Sequence, residues 1–468
     1  MSHSLNRSVL SIDVGTSGVR AALFDEQGNP IEGAQALTRR APGDFVELDP
    51  DVLVDEVRRT IDELLARSVG ADIQARAIST FWHSLMGVDG EGKPTTPVLT
   101  WADTRAVHAA KSLRTEFDER EIHARTGCRF HPSYWPAKLR WLHAEHRAAF
   151  DATQQWLGFA EYLCLKLFGD ATASVSMASA TGLFDQRACD WDQGFVEKLG
   201  FSPDQLPPIK TDEEVFVVGD GAANNIGGGC STKDKIALMI GTSGAMRVVF
   251  SGKPPANLSP SLWSYRVDRK RVVVGGALSD GGGLLQWLVE ALKIDARDGS
   301  LQQQLAALEP DGHGLTFLPF WSGERSTGWL ADARGGIFGL RQHTTNVEIL
   351  RAALEAIAYR FALIAQALEE IAPNAEVIAT GNALRSSPVW LQIIADVLGR
   401  PVLFGGAAEA SIRGAALLAL EAVGKIANIE AVPVVVDEVF EPDLKRHARY
   451  REGLSRQQDL YERLFGQQ

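Results

Sequence analysis

The segment SIDVGTSGVRAALF, residues Ser11–Phe24, decides the fold because it returns about half a chain later as LMIGTSGAMRVVF, residues Leu238–Phe250. Each copy contains an apolar run, the tetrapeptide Gly-Thr-Ser-Gly and a second apolar run. β-Branched residues around a glycine-rich turn are typical of a β-hairpin, since glycine permits the backbone angles that such turns need. We predict two hairpins, and a repeat at this distance indicates two domains of similar topology.

The domain boundary is predicted within GGGCSTKDK, residues 227–235, which divides the chain into residues 1–233 and 234–468. In the second half, Thr345 and Glu348 fit a capping box at the start of an amphipathic helix. A strand is predicted at Glu376–Thr380, followed by a turn and a helix that ends at Gly399. Strands that alternate with helices predict an α/β class.

Composition narrows the functional classes. The 468 residues are 45% hydrophobic and 23% charged, as in folded globular proteins. A net charge of -12 argues against binding to a nucleic-acid backbone. Four widely separated cysteines predict neither disulfides nor a metal site. No apolar run is long enough to cross a bilayer, and residues 1–7 lack a signal-peptide pattern, so we expect a cytoplasmic protein without membrane or nucleic-acid partners.

The first hairpin carries groups that suit a phosphate. Gly15, Thr16 and Ser17 offer N–H groups and hydroxyls, and Arg20 offers a cation. Asp13, at the end of the strand that enters the turn, could hold Mg²⁺ through water, since this ion prefers one or two carboxylates together with phosphate oxygens. The alternative is a plain β-turn without a ligand.

Asp220 is the candidate general base. It lies between glycines in VVGDGAANNIGGG, residues 217–229, directly after an apolar strand. A carboxylate placed there could remove the proton from a substrate hydroxyl and so make it a better nucleophile toward a γ-phosphate. The alternative is a turn aspartate that caps a helix starting near Ala222.

Residues 79–105 concentrate aromatic and hydrogen-bonding side chains that suit a polyhydroxylated ligand. The candidate sugar-binding residues are Trp82, His83, Ser84, Trp101, Asp103 and Arg105. Each also has a structural alternative: His83 could be a buried core histidine, and Asp103 with Arg105 could be an ion pair.

Taken together, these motifs resemble the FGGY family of carbohydrate kinases over about residues 9–421. The resemblance rests on DVGTSGVR, WADTR, GDGAANN, IGTSG, GGGLLQW and TGNALRSSPVWLQIIADVLGRPV. It implies two ribonuclease H-like, actin-like ATPase domains with an interdomain cleft. Residues 1–233 would supply the sugar site, the base and the first phosphate loop, and residues 234–468 the second phosphate loop and the adenosine site.

The resemblance also implies roles for individual residues. Asp220 would be the catalytic base and Asp13 would help to position Mg²⁺. The sugar would contact His83, Ser84, Trp101, Asp103 and Asp220. The ATP-binding residues would be Gly15, Thr16, Ser17, Arg20, Gly241, Thr242, Ser243, Gly282, Gln286, Gly381 and Asn382. In the adenosine loop Asn382 follows Gly381 where relatives usually have a second glycine, so nucleotide preference stays open.

SATGLFD at Ser179–Asp185 and GERSTGWLADARGGIFGL at Gly323–Leu340 are most similar to the gluconokinase branch, which makes D-gluconate the first substrate. Its carboxylate would need a cation or N–H donors, and Arg105, Arg129 and Arg325 are the candidates. A xylulokinase or another pentulose or polyol kinase is the alternative. A non-catalytic actin-like module that binds ATP or sugar is an alternative of another class. A homodimer stays open as the assembly.

Overall fold

This computed structural model describes residues 7–41, 45–210, 215–295, 299–406 and 409–466. Most of the N-terminal stretch on which the compartment expectation rests lies outside the described residues. None of the described helices combines the length and the apolar composition needed to cross a bilayer.

Twenty strands and sixteen α-helices are defined within this described part of the chain. The strands are β1 (Ser8–Gly15), β2 (Gly18–Phe24), β3 (Pro30–Arg39), β4 (Glu47–Leu48), β5 (Ile73–Thr80), β6 (Met86–Val88), β7 (Val98–Leu99), β8 (Gln155–Leu157), β9 (Phe184–Asp185), β10 (Asp190–Trp191), β11 (Val215–Gly219), β12 (Lys235–Ile240), β13 (Gly244–Ser251), β14 (Trp263–Arg266), β15 (Arg271–Leu278), β16 (Thr316–Leu318), β17 (Gly336–Phe338), β18 (Glu376–Thr380), β19 (Val402–Gly405) and β20 (Val436–Phe440). The helices are α1 (Pro50–Arg67), α2 (Val107–Glu116), α3 (Glu119–Thr126), α4 (Trp135–Glu145), α5 (Arg147–Ala152), α6 (Phe159–Phe168), α7 (Val175–Ser179), α8 (Gln193–Lys198), α9 (Asp220–Gly227), α10 (Gly282–Ala291), α11 (Ser300–Ala307), α12 (Asn346–Leu368), α13 (Asn382–Arg385), α14 (Pro388–Leu398), α15 (Ala410–Ala422) and α16 (Leu444–Phe465).

The chain forms two compact units, each built from more than one segment. The first unit comprises Met1–Thr232, Val249–Val273 and Ala407–Pro433. The second comprises Lys233–Val248, Val274–Gly406 and Val434–Gln468. Two stretches from the second half of the chain therefore cluster with the first unit, which a continuous division at residue 233 does not anticipate.

The first unit contains a five-stranded sheet in the order β11-β5-β1-β2-β3. Strands β1 and β2 form an antiparallel hairpin in which Gly15 faces Gly18, so that only Thr16 and Ser17 form the turn. Strand β5 runs parallel to β1, and β11 runs parallel to β5. Strands β1 and β5 are almost wholly buried at their carboxyl ends, as expected for parallel strands covered on both faces.

The second unit repeats this pattern around its own hairpin. Its sheet contains the order β15-β13-β12-β18-β19-β20, with β12 and β13 antiparallel and β18 parallel to β12. Here Ile240 faces Gly244, so this turn has three residues although its sequence is identical to the first. Both predicted hairpins and the α/β class are confirmed.

The predicted elements of the second half are also present. Thr345 caps α12, and its side chain and that of Glu348 form the reciprocal bonds of a capping box. Strand β18 has the predicted bounds, and α14 ends at Gly399 in a left-handed cap with φ of 66°. All four cysteines are buried thiols that form no disulfide.

Candidate active site

In the first unit, Asp13 and Arg20 face each other across the first hairpin. They are register partners on β1 and β2, and Arg20 Nη1 lies 3.6 Å from Asp13 Oδ2. Arg20 Nε also pairs at 2.8 Å with Glu409, the residue before α15. The cation predicted to meet a phosphate is therefore held between two carboxylates at the base of the turn.

The environment of the Asp13 carboxyl disfavours its negatively charged form. Burial raises the pKa of its carboxyl to about 6, and the negative charges of Asp220 and Glu409 add to this effect. The positive charge of Arg20 opposes it. A divalent cation beside Asp13 and Asp220 would offset this repulsion, so this carboxylate environment fits the Mg²⁺ predicted from the sequence.

Asp220 is the first residue of α9 and is partly exposed. Its side chain does not cap that helix, although Asp220 Oδ1 accepts a hydrogen bond from the N–H of Gly221 at 2.7 Å. The helix N-terminus favours the charged carboxylate. The alternative expectation, a cap for a helix starting near Ala222, does not match this geometry because the helix starts at Asp220 itself.

Gly219 fixes the backbone that leads into Asp220. Its N–H donates to Ser176 Oγ at 3.1 Å, and Trp82 Nε1 donates to the Ser176 carbonyl at 3.1 Å. The Trp82 ring lies so close to Gly219 that an added Cβ would be 1.8 Å from it. Only glycine fits here, so the Trp82 ring and the backbone at Asp220 are mutually positioned.

An aromatic cluster surrounds Trp82 and His83 within the same unit. Tyr265 lies 5.2 Å from Trp82 and 5.5 Å from His83 between ring centroids, and it stacks on Trp263 at 4.3 Å. Tyr134 contacts the His83 ring edge-on at 5.0 Å and shares a 2.6 Å hydroxyl contact with Tyr265. The rings from residues 82–83, 134 and 263–265 therefore form an aromatic wall of the kind that suits a sugar.

His83 is buried and has a positive φ of 68°, a backbone conformation that is uncommon for this residue type. Its Nδ1 lies 2.7 Å from the Ala180 carbonyl, which makes Nδ1–H the donor. The carbonyl therefore fixes the tautomer of His83 and leaves Nε2 without a proton on the neutral ring.

Other predicted sugar residues are engaged in internal contacts. Ser84 is buried and accepts a hydrogen bond from the Phe159 N–H at the start of α6. Both carboxylate oxygens of Asp103 accept bonds from Arg105, at 3.0 and 2.9 Å. Arg105 also bonds to Glu47 and stacks over Trp141 at 4.7 Å. The geometry therefore matches the ion-pair alternative for Asp103 and Arg105.

Trp101 is partly buried, and its ring lies 6.4 Å from that of Phe45 at a tilted angle. Its carbonyl accepts a hydrogen bond from Ser133 Oγ. This bond from a side chain to the backbone ties the WADTR segment to the turn before α4.

Lys138 on α4 joins two segments of the candidate sugar site, residues 82–84 and 99–103. Its ammonium group donates to the carbonyls of His83 at 2.7 Å, Leu99 at 3.2 Å and Thr100 at 2.7 Å. The side chain is fully buried, and this burial lowers the pKa of Lys138 to about 7. One buried donor thus serves three carbonyl acceptors, of which those of Leu99 and Thr100 also accept backbone N–H groups.

We expect Lys138→Met to destabilise the fold by about 2 kcal/mol, because an apolar chain of similar length leaves the buried His83 carbonyl without its lysine donor and removes one of the donors to the Leu99 and Thr100 carbonyls. Equilibrium urea unfolding measures this loss. Lys198→Met, at an exposed lysine of α8, is the matched control and should change stability by less than about 0.5 kcal/mol. Equal stabilities of the two variants would contradict the role assigned to Lys138.

In the second unit, the second hairpin rests on the N-terminus of α10. The N–H groups of Gly281 and Gly283 donate to the Thr242 carbonyl, and that of Gly282 donates to the Gly241 carbonyl. An added Cβ on Gly282 would lie 2.6 Å from the Gly241 oxygen. This close backbone approach explains the Gly-Gly-Gly in the motif GGGLLQW.

The predicted adenosine loop meets the same hairpin. Gly381 has a φ of 111°, and an added Cβ would lie 2.3 Å from the Ile240 carbonyl oxygen. A Cβ on Gly282 would also lie 2.6 Å from Cβ of Ala383 in α13. The structure therefore brings Gly241, Gly282 and Gly381 together, as the predicted nucleotide site requires.

Asn382 and Gln286 are exposed in this region, and Thr242 is exposed at the tip of the hairpin. Gln286 Nε2 donates to Glu290 Oε1, one turn further along α10. These side chains are accessible to a ligand, and Gln286 has one internal partner.

Asp311, His313 and Glu355 form the one group of three His, Cys, Asp or Glu side chains that is compact enough for a metal ion within the described ranges. Arg456 contacts Asp311 and Arg351 Nε donates to Glu355, while His313 Nδ1 accepts the Leu315 N–H. The charges and lone pairs are used internally, so this group is a buried ion network and not a site for Mg²⁺.

Sequence reasoning missed several residues of the first unit. Tyr134, Trp263 and Tyr265 contribute to the aromatic wall, and Glu409 pairs with Arg20. They lie far from His83 and Asp13 in sequence, and no local pattern connects them. The pair of aromatics in LWSYR, residues 262–266, was the one available signal.

Comparisons with known proteins agree with this geometry. Residues 8–228 match the N-terminal domain and residues 236–423 the C-terminal domain of the FGGY family of carbohydrate kinases. The chain is 30% identical to a gluconokinase of Bacillus subtilis (strain 168), over 92% of this chain and 91% of that relative. The crystal structure of gluconate kinase from Lactobacillus acidophilus has a TM-score of 0.88 and 25% identity, over 98% of both chains. A ligand-bound xylulose kinase from Lactobacillus acidophilus has a TM-score of 0.87 and 25% identity, over 98% of both chains. The chain belongs to the FGGY family of carbohydrate kinases and is an ATP-dependent sugar kinase.

Proposed function

We propose that this kinase transfers the γ-phosphate of ATP to the terminal hydroxyl of D-gluconate. The observation that carries the proposal is the 30% identity to a gluconokinase over 92% of the chain. The high similarity to the gluconate kinase structure supports it. The comparable TM-score of the xylulose kinase structure makes D-xylulose or a related pentulose the second candidate.

Asp220 is proposed as the general base. Its carboxylate accepts the proton of the substrate hydroxyl while that oxygen forms a bond to the γ-phosphorus and the bond from the γ-phosphorus to the β–γ bridging oxygen breaks. The products are the phosphorylated sugar and ADP. The position of Asp220 as the first residue of α9 supports this role, because a helix N-terminus favours a negatively charged side chain.

Asp13 is proposed to help hold Mg²⁺, through water, together with the nucleotide. The bound ion would neutralise charge on the phosphate oxygens. The raised pKa of Asp13 supports this assignment, since burial and the negative charges of Asp220 and Glu409 outweigh the positive charge of Arg20.

The nucleotide is assigned to both Gly-Thr-Ser-Gly turns and to the loop beside the second one. Gly15, Thr16, Ser17 and Arg20, with Gly241, Thr242 and Ser243, are proposed to bind phosphates. Gly282, Gln286, Gly381 and Asn382 are proposed to lie along the rest of the nucleotide. The exposure of Thr16, Ser17 and Thr242 supports this assignment.

The sugar is assigned to His83, Ser84, Trp101, Asp103 and Arg105 of the first unit. The buried aromatic cluster around His83 supports it. Arg105 and Arg129 are each paired with carboxylates, Asp103 and Glu119 respectively. Recognition of the gluconate carboxylate by either arginine would therefore have to compete with an internal ion pair.

A kinase assay coupled to ADP release tests the substrate. We expect D-gluconate to have a kcat/KM at least about tenfold above those of D-xylulose, ribulose, glycerol and erythritol, because the polar groups of a specific site stay unpaired with the wrong ligand. A higher value for D-xylulose would replace gluconate by the second candidate. Turnover of none of these compounds would favour a non-catalytic module.

A further inference from the structure

A single residue, Arg40, binds three of the four carbonyl groups of the first Gly-Thr-Ser-Gly motif, those of Gly15, Thr16 and Ser17. Its Nη1 donates to the Gly15 carbonyl at 3.1 Å and to the Thr16 carbonyl at 3.0 Å. Its backbone N–H donates to the Ser17 carbonyl at 2.9 Å. These bonds hold three successive carbonyl oxygens of the turn toward one residue.

The guanidinium group is itself fixed by Glu56 of α1. Arg40 Nε and Nη2 donate to Glu56 Oε2 at 3.2 and 2.6 Å, and only 15% and 11% of the two side chains are exposed. The planar fork of arginine can bind a carboxylate with one edge and backbone carbonyls with another, which an ammonium group cannot do in a fixed geometry.

The second turn has its carbonyls bound in a different way. The backbone N–H groups of Gly281, Gly282 and Gly283 reach the carbonyls of Gly241 and Thr242, and the Gly241 N–H reaches that of Ser243. Each unit therefore binds carbonyls of its turn, the first with the side chain and the backbone N–H of one arginine and the second with backbone N–H groups alone.

The N–H groups of the first turn remain available. Neither the Thr16 nor the Ser17 N–H donates to an internal acceptor within the described part of the chain, and both residues are exposed. A turn with its carbonyls bound on one side and its N–H groups unbound is suited to an anion, since carbonyl dipoles no longer repel it.

We propose that Arg40 is a positioning residue for ATP: it holds the first turn in the conformation that presents N–H groups to a phosphate. This inference rests on the proposed function, in which Gly15–Gly18 bind the phosphates. Arg40 acts through the backbone of the turn and does not itself touch the nucleotide.

Steady-state kinetics of Arg40→Met, Arg40→Lys and Arg39→Met test the proposal, with the best sugar from the substrate assay. We expect Arg40→Met to raise KM for MgATP by about tenfold while KM for the sugar changes by less than about twofold. Arg40→Lys should recover part of this loss because it keeps the charge without the fork. Arg39 is exposed on β3, and Arg39→Met should behave as the wild type.

If Arg40→Met had the same KM for MgATP as the wild type, the proposal would be overturned. Equal increases in both KM values together with a lower melting temperature would also overturn it, because they would indicate a purely structural role. A second variant, Thr16→Glu, distinguishes an error in the role of Arg40 from an error in the proposed phosphate site. A carboxylate on the exposed turn should repel ATP and raise its KM; if it does so while Arg40→Met has no effect, only the role of Arg40 is wrong. An unchanged KM in Thr16→Glu would remove the turn from the phosphate site.

Discussion

Asp220→Asn should reduce kcat by about 10³-fold, because asparagine keeps the shape of the side chain but cannot accept the proton of the sugar hydroxyl. The amide oxygen can still accept the Gly221 N–H, so the start of α9 should be preserved. A coupled kinase assay measures kcat. Calorimetric titration should give dissociation constants for ATP and sugar within about threefold of the wild type, since the base acts in the chemical step.

The matched control is Asp62→Asn, which removes one negative charge from an exposed position on α1. It should retain wild-type activity. Undiminished turnover in Asp220→Asn would refute the role of Asp220 and would require another base. Loss of turnover together with loss of ATP and sugar binding would instead indicate that Asp220 organises the site and that the chemical assignment is wrong.

Local sequence patterns predicted those parts of the fold that depend on local interactions. The two Gly-Thr-Ser-Gly hairpins, the capping box of Thr345 and Glu348, and the strand Glu376–Thr380 could all be predicted. In each case the physical cause lies within a few residues: turn geometry, a reciprocal side-chain bond, or an apolar run ended by glycine.

Local sequence patterns do not distinguish the two hairpins. Identical tetrapeptides form a two-residue turn in the first unit and a three-residue turn in the second. The turns have different partners, Arg40 in one case and Gly281–Gly283 in the other. Since these partners lie outside the repeated motif, the motif alone could not reveal the difference.

The candidate sugar site shows the same limit. The cluster at residues 79–105 was visible in the sequence, but Asp103 and Arg105 proved to pair with each other. The aromatic neighbours of His83 come from residues 134 and 265, which only tertiary structure brings near it. The local sequence of such a distant segment does not show which unit it will pack in.

Asp13→Asn should stabilise the magnesium-free protein while it reduces activity. The folded-state pKa of Asp13 is about 6, above the ordinary value of 3.8, so the native state binds this proton more tightly than the unfolded state. Stability therefore falls as pH rises from 3.8 through 6, and the full cost is present above that range. Removal of the charge should add about 3 kcal/mol at pH 8, because one pKa unit corresponds to about 1.4 kcal/mol and the raised pKa already includes the opposing attraction to Arg20.

Urea unfolding in the presence of a chelator, at about pH 8 and again near pH 4.5, measures this effect. The advantage of Asp13→Asn should be large at the higher pH and should shrink at the lower one, where the wild-type carboxyl is mostly protonated in the folded state. Asp62→Asn should be neutral at both pH values.

With Mg²⁺ present, kcat/KM for MgATP should fall by about 10²-fold or more, since one ligand of the cation is weakened. A variant that is less stable than the wild type at the higher pH would show that the Arg20 ion pair outweighs the burial of charge. A variant with full activity would remove Asp13 from the metal site. Both expected results together would mean that the buried carboxylate is retained for catalysis at the expense of stability.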